Sequence, residues 1–232
     1  MTRSNCSTSS CGIETPNRTS SFSFMPAPPF WYDVCRLYHD SFAEGYILAL
    51  QFTTLAEWDS EAWRAVEPIF DEAFPPSGRK TSRMIRKIVD TDAGWLHIGA
   101  EDGEAVAMAV TGKLPELRSL LIDYVAVRSA ARSRGIGRRM AEFLAEEARR
   151  LGFDGLVIEI EAEETPSNES RERFWTSLGF RRTEYVHRYR WVPETYRALY
   201  MELGGKGAAA LPHDGEALFR GITGFHGKIW RD

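Results

Sequence analysis

The segment VAVRSAARSRGIGRRM, from Val125 to Met140, restricts what this chain can fold into more than any other. An apolar run, Leu120 to Val127, reads as a strand. A short loop with two glycines and five arginines follows, and then a helical stripe runs through Met140, Phe143, Leu144 and Ala148 to Gly152. A strand that feeds a helix through a glycine- and arginine-rich loop is an anion cradle. The first helical turn leaves its N–H groups unpaired, and the helix dipole favours negative charge there. Arginines add bidentate charge, and glycine lets the backbone approach a phosphate closely. Two common phosphate binders are excluded. The dinucleotide fingerprint needs a third glycine where Met140 stands, and the P-loop needs a Gly-Lys-Ser/Thr run that is absent.

The surrounding pattern places this unit in a mixed sheet. Ile47 to Phe52 reads as a strand. A helix follows with Asp59 or Ser60 as cap and Trp63, Val66, Phe70 and Phe74 on one stripe, and Pro68 inside it is expected to kink or split it. Met84, Ile85, Ile88 and Val89 mark a second short helix. Trp95–Ala100 and Ala105–Thr111 flank Asp102-Gly103, a strong hairpin signal. Beyond the cradle come a strand (Leu156–Glu161), a helix (Pro166–Leu178) and two further strands within Phe180–Tyr185 and His187–Leu203. The expected fold is a single α/β domain, a mixed central sheet of about six to seven strands flanked by helices.

The ends read differently. Residues 1–29 are rich in Ser and Thr, with too little apolar surface to offset the entropy of ordering, so a disordered tail is expected, with Met25 a candidate start. Residues 30–203 form the expected catalytic domain. Residues 204–232 are read as a linker and a helical extension, whose Phe219, Ile222, Phe225 and Trp230 form a docking stripe suited to a homodimer, with His226 structural. The net charge of −4 argues against a nucleic-acid partner. No apolar run reaches the roughly 18–20 residues that span a bilayer, so no membrane association is expected. The three cysteines, Cys6, Cys11 and Cys35, fit no disulfide framework and suggest a cytoplasmic, reducing setting. The scattered histidines form no zinc motif, and no metal is expected.

Arg132-x-x-Gly135-x-Gly137 after an apolar strand resembles the acyl-CoA pyrophosphate motif of the GNAT superfamily of N-acetyltransferases. Downstream, NESRERFWTSLGF from Asn168 to Phe180 resembles the second motif of that family in order and spacing. The resemblance spans roughly residues 47–203. It implies acetyl-CoA as acyl donor and an amine, on a small molecule or a protein, as acceptor, joined by direct attack in a ternary complex. It further implies that Val125, Ala126 and Val127 contact the pantetheine arm and the acetyl carbonyl. Arg132, Ser133, Arg134 and Gly135 would wrap the pyrophosphate together with Ile136, Gly137 and Arg138, and Asn168 would bond the pantetheine region. One residue departs from the family pattern. Trp175 stands where a tyrosine usually protonates the leaving thiolate, and indole cannot do so, which leaves Trp175 as a cover over the cofactor and Tyr185 or Tyr189 as candidate acids. The base is expected among Asp123, on the cofactor strand, and Glu159 and Glu161, which share one face of the next strand by the period of two. The alternative reading is an acyl-CoA-binding sensor or structural module with little catalysis.

Overall fold

The computed structural model describes residues 50–77, 79–190, 192–204 and 211–230. The expected tail, Met25, the three cysteines, the start of the Ile47–Phe52 strand and most of the 204–210 linker lie outside the described residues. Among the described residues the chain begins its sheet at β1 (Gln51–Leu55). It continues through α1 (Ser60–Ala73), α2 (Ser82–Asp90), β2 (Gly94–Glu101), β3 (Glu104–Leu114) and β4 (Ser119–Val127). Then come α3 (Ile136–Arg150), β5 (Gly155–Glu161), α4 (Pro166–Ser177), β6 (Arg181–Arg188), β7 (Thr195–Glu202) and α5 (Gly215–Trp230). His187 therefore belongs to β6, and β7 starts only at Thr195.

Local chemistry accounts for most of these elements. Asp59 caps α1 by accepting from the N–H groups of Glu61 and Ala62, and Thr81 caps α2 through Met84 N–H. Asp102 and Gly103 have φ of 51° and 80°, the two left-handed residues that a two-residue hairpin turn requires. Pro68 does not split α1, which is continuous through it. A helix-interior proline costs about 3 kcal/mol. Burial of Trp63, Val66, Ile69 and Phe70 against the sheet offsets this, at about 1.5–3 kcal/mol for each large side chain.

The seven strands run in the order β1-β2-β3-β4-β5-β7-β6. Only the β4–β5 pair is parallel. Helices α3 and α4 cover the face that presents Leu120, Ile122, Ile158 and Leu199. Helices α1, α2 and α5 cover the other face. The Phe219, Ile222 and Phe225 stripe of α5 docks on this chain's own sheet and is buried there, with Phe225 so close over Gly112 that a Cβ there would lie 2.5 Å from its ring. Trp230 alone of that stripe is half exposed.

A buried polar chain ties β1, β2, β3 and α3 together. Thr54 Oγ1 donates to Glu147 Oε2 (2.9 Å) and lies 3.0 Å from His97 Nδ1, while His97 Nε2 lies 2.8 Å from Thr111 Oγ1. With the Thr54 proton spent on Glu147, Nδ1–H must donate to Thr54 and Nε2 must accept from Thr111, so one neutral tautomer is fixed. Burial pushes His97 down to about 3, against a smaller opposing pull from Glu147. The unfolded chain, with histidine near 6.5, binds the extra proton first. Stability contributed by neutral His97 is therefore full above pH 6.5 and lost as pH falls toward 3. Between pH 7 and 4.5 the parent protein is expected to lose about 2–3 kcal/mol more than His97→Gln in urea unfolding. Equal losses in the two proteins would show that His97 is not held neutral.

Candidate active site

Strand β4 pairs with β5 through only four residues, from Ser119 opposite Gly155 to Ile122 opposite Ile158. Beyond that point Asp123–Val127 and Glu159–Glu161 have no ladder bonds to each other. The β3–β4 register shifts at the same level, where Val110 faces Tyr124 and Thr111 faces Ile122, so Asp123 is the extra residue of a bulge. A bulge bends and twists its strand, and here it turns β4 away from β5. The parting strands open a gap in the middle of the sheet.

On the α3/α4 face, beside this gap, lies a cleft of about 800 Å³. Val125, Ala126 and Val127 form its strand wall. Arg132, Ser133, Gly135, Ile136, Gly137 and Arg138 form its loop and helix wall. Gly135 precedes α3 at φ 78° and offers no side-chain cap, which leaves the helix N-terminus to a ligand. A Cβ on Gly137 would stand 3.5 Å from Phe174 Cζ and 3.8 Å from Val127 Cγ2, inside the cleft. An uncapped helix end, an adjacent arginine cluster and a glycine floor fit a long, phosphate-bearing ligand.

Three expected contact residues stand elsewhere. Arg134 turns away to Glu101 (2.9 Å). Asn168 is buried, donating from Nδ2 to Glu163 O (3.0 Å) and accepting from Arg171 Nη1 (3.2 Å), so it fixes the start of α4 and one arginine of the cleft wall. Trp175 is buried between Phe174 and Phe180, with ring centroids 5.1 and 5.0 Å away, and Phe174 lines the cleft in its place. The sequence reading missed Phe174 together with Ser167, Ser170 and Arg171. Their positions, three or four residues apart from Ser167 through Ser170 and Arg171 to Phe174, form the stripe that could have revealed them.

Asp123 and Glu159 meet on the opposite face. Asp123 is buried and accepts on Oδ1 from Lys80 Nζ (2.9 Å), while His226 Nε2 lies 3.3 Å from the same oxygen. Its Oδ2 has no hydrogen-bond partner among the described residues. Burial alone would raise Asp123, but the Lys80 and His226 side chains outweigh it and hold the carboxyl below its usual range. Glu159, mostly buried, accepts on Oε2 from the Tyr189 hydroxyl (2.7 Å). Burial and the Glu159 charge push Tyr189 far up, so it keeps its proton. Glu161 is half exposed and pairs with Arg171 (3.4 Å) on the cleft wall. Lys80 and His226 carried no sequence signal that tied them to these acids. Among the described residues no group of His, Cys, Asp or Glu is placed to hold a metal ion, and no helix is long and apolar enough to cross a membrane.

A mixed seven-stranded sheet flanked by helices, its central parallel strands parting beside an arginine-rich loop and an uncapped helix end, is consistent with an acetyltransferase fold. The sequence matches the Acetyltransferase (GNAT) family model over residues 52–180, more than half of its length, and the chain belongs to that family. The fold is similar to that of the ribosomal-protein-S18-alanine N-acetyltransferase from Escherichia coli, with 19% identity, a TM-score of 0.53 and coverage of 69% of this chain and 100% of that one. It is also similar to Escherichia coli ElaA, with 18% identity, a TM-score of 0.53 and coverage of 66% and 100%. A GNAT-family protein from Bacteroides thetaiotaomicron aligns with 19% identity, a TM-score of 0.59 and coverage of 76% and 94%. At these identities the likeness is one of fold. No curated protein matches the sequence.

Proposed function

We propose that the protein moves an acetyl group from acetyl-CoA to a primary amine by direct attack. The observation that carries this reading is the separation of β4 from β5 directly after Ile122 and Ile158, with the anion-binding cleft on one face and Glu159 on the other. Acetyl-CoA would supply an activated thioester. The loop from Arg132 to Arg138 binds its pyrophosphate, and the walls at Val125–Val127 and Phe174 seat its arm. Backbone N–H groups of the open part of β4 steady the oxyanion that forms as the amine attacks.

The proton of the incoming ammonium goes to Glu159. Asp123 is the weaker candidate, because a carboxylate held low by Lys80 is a poor proton acceptor. Tyr189 orients Glu159 rather than serving as the acid, because a phenol pushed so far up gives its proton away reluctantly. With Trp175 buried and Phe174 at the cleft, solvent protonates the departing thiolate. The absence of a hydroxyl at both positions also favours a second reading, an acyl-CoA sensor without turnover.

Two measurements test the reading. Millimolar acetyl-CoA is expected to raise the melting temperature, since a ligand that binds only the folded state stabilises it. An amine library is expected to yield acceptors that release free CoA. Binding without release from any amine supports the sensor, and no thermal shift at all sinks both readings.

A further inference from the structure

Helix α5 lies beyond the family match at residues 52–180, yet its His226 stands among the carboxylates of the gap. Asp123 and Glu159 are each the first residue of their strand past the last β4–β5 pair. Ladder bonds hold paired strands about 4.8 Å apart. None acts on these two residues across the gap, although each strand is still held by its outer neighbour. One imidazole nitrogen reaches both acids: His226 Nε2 lies 3.3 Å from Asp123 Oδ1 and 3.7 Å from Glu159 Oε1. An ionised carboxylate only accepts, so Nε2 carries the hydrogen that it gives to Asp123, while Glu159 Oε1 stands just beyond hydrogen-bond distance of the same N–H. On its other side Nδ1 lies 3.5 Å from the Tyr189 oxygen, whose hydroxyl proton goes to Glu159. The imidazole is itself held by the buried Phe219, Ile222, Phe225 and Ile229 of α5.

We propose that His226 is a positioning residue, a clamp that ties Asp123 of β4 to Glu159 of β5 where the strands part and so aims Glu159 at the incoming amine. The inference rests on the acetyl-transfer reading of this site. Two carboxylates that face one imidazole nitrogen repel each other, and the polar N–H edge between them relieves that repulsion. Lys80, from the loop before α2, offsets the remaining charge from the Asp123 side. The titratable groups around the ring are Lys80, Asp123, Glu159, Tyr189 and His187. A histidine that merely fills the core would need none of these contacts.

The test compares His226→Leu, which fills the volume without a donor, with His226→Gln, which restores an N–H. Both are expected to bind acetyl-CoA within about threefold of the parent protein, because the cleft lies on the other face of the sheet. With an amine found by the screen, His226→Leu is expected to lose at least about 30-fold in kcat with KM little changed, and His226→Gln to recover most of it. Proton NMR of the parent protein is expected to reveal a slowly exchanging Nε2 proton on His226 that shifts in Glu159→Gln. Parental kcat in His226→Leu, or an Nε2 proton that ignores Glu159→Gln, overturns the clamp. If His226→Leu does not fold, His226→Gln and the NMR signal decide the matter. Failure of the parent protein to bind acetyl-CoA would instead overturn the acetyl-transfer reading, a separate result from the NMR signal.

Discussion

Gly137→Val is expected to weaken acetyl-CoA binding by at least about a hundredfold, roughly 2.7 kcal/mol, while the protein stays folded. The position sits in the first turn of α3, and its missing Cβ would point between Phe174 and Val127. Both distances, 3.5 and 3.8 Å, are ordinary contacts, so the helix itself tolerates a side chain there. A valine adds two further methyl groups, and they occupy the space where the ligand backbone contact must form. Gly137→Ala adds one carbon and is expected to lose far less. Gly135→Val is a poorer probe. Nothing lies within 4 Å of its Cβ position, but φ is 78°, so a substitution there strains the backbone whether or not a ligand binds. Calorimetric titration with acetyl-CoA, paired with a melting curve, reads both effects. Binding within threefold of the parent protein would place the pyrophosphate elsewhere.

Glu159→Gln carries the second large effect. The substitution keeps an oxygen for the Tyr189 hydroxyl and removes the group that accepts the amine's proton. General base assistance is worth about 100- to 10,000-fold, so kcat/KM at pH 7 is expected to fall at least about a hundredfold. An alkylamine near pKa 10 is almost wholly protonated at neutral pH. The deficit should therefore shrink as pH rises toward that value and free amine accumulates. Acetyl-CoA affinity should hardly change. Asp123→Asn is expected to behave differently. It leaves Lys80, whose side chain is 4% exposed, buried without its counter-charge, and that costs about 3–5 kcal/mol of stability. A pH–rate profile and a urea titration on each variant separate the two roles. If Glu159→Gln follows the parent profile across pH 6–9, Glu159 is structural and water alone removes the proton.

Much of this molecule was legible before any coordinates. The cap at Asp59, the Asp102-Gly103 turn and the glycine-bounded helices are signals carried within a few residues of chain, and each appears where its chemistry demands. The anion cradle was legible for the same reason, since strand, loop and helix start are contiguous between Val125 and Met140. The family motif misled where two stripes ran along one helix. On α4 the motif drew attention to Asn168 and Trp175, which are buried, while the stripe at Ser167, Ser170, Arg171 and Phe174 meets the cleft. Rotation of a helix about its axis is set by what it packs against, and a short sequence with apolar residues on both sides does not specify it. The stripe on α5 was legible as apolar, but its partner was not, because burial against another copy and burial against its own sheet demand the same residues.

By itself, then, the sequence determined the order of elements, the arginine- and glycine-rich loop before α3 and the candidate acids on β4 and β5. Only the tertiary structure decided which acid keeps company with which base. Lys80 reaches Asp123 across 43 positions of chain and His226 reaches it across 103. No local propensity encodes such a meeting. The bulge at Asp123 and the loss of pairing after Ile122 and Ile158 are likewise properties of a whole sheet under twist. A buried carboxylate is either a base or an anchor according to the charges that the rest of the fold brings within about 4 Å of it, and that proximity is fixed only when the helices pack.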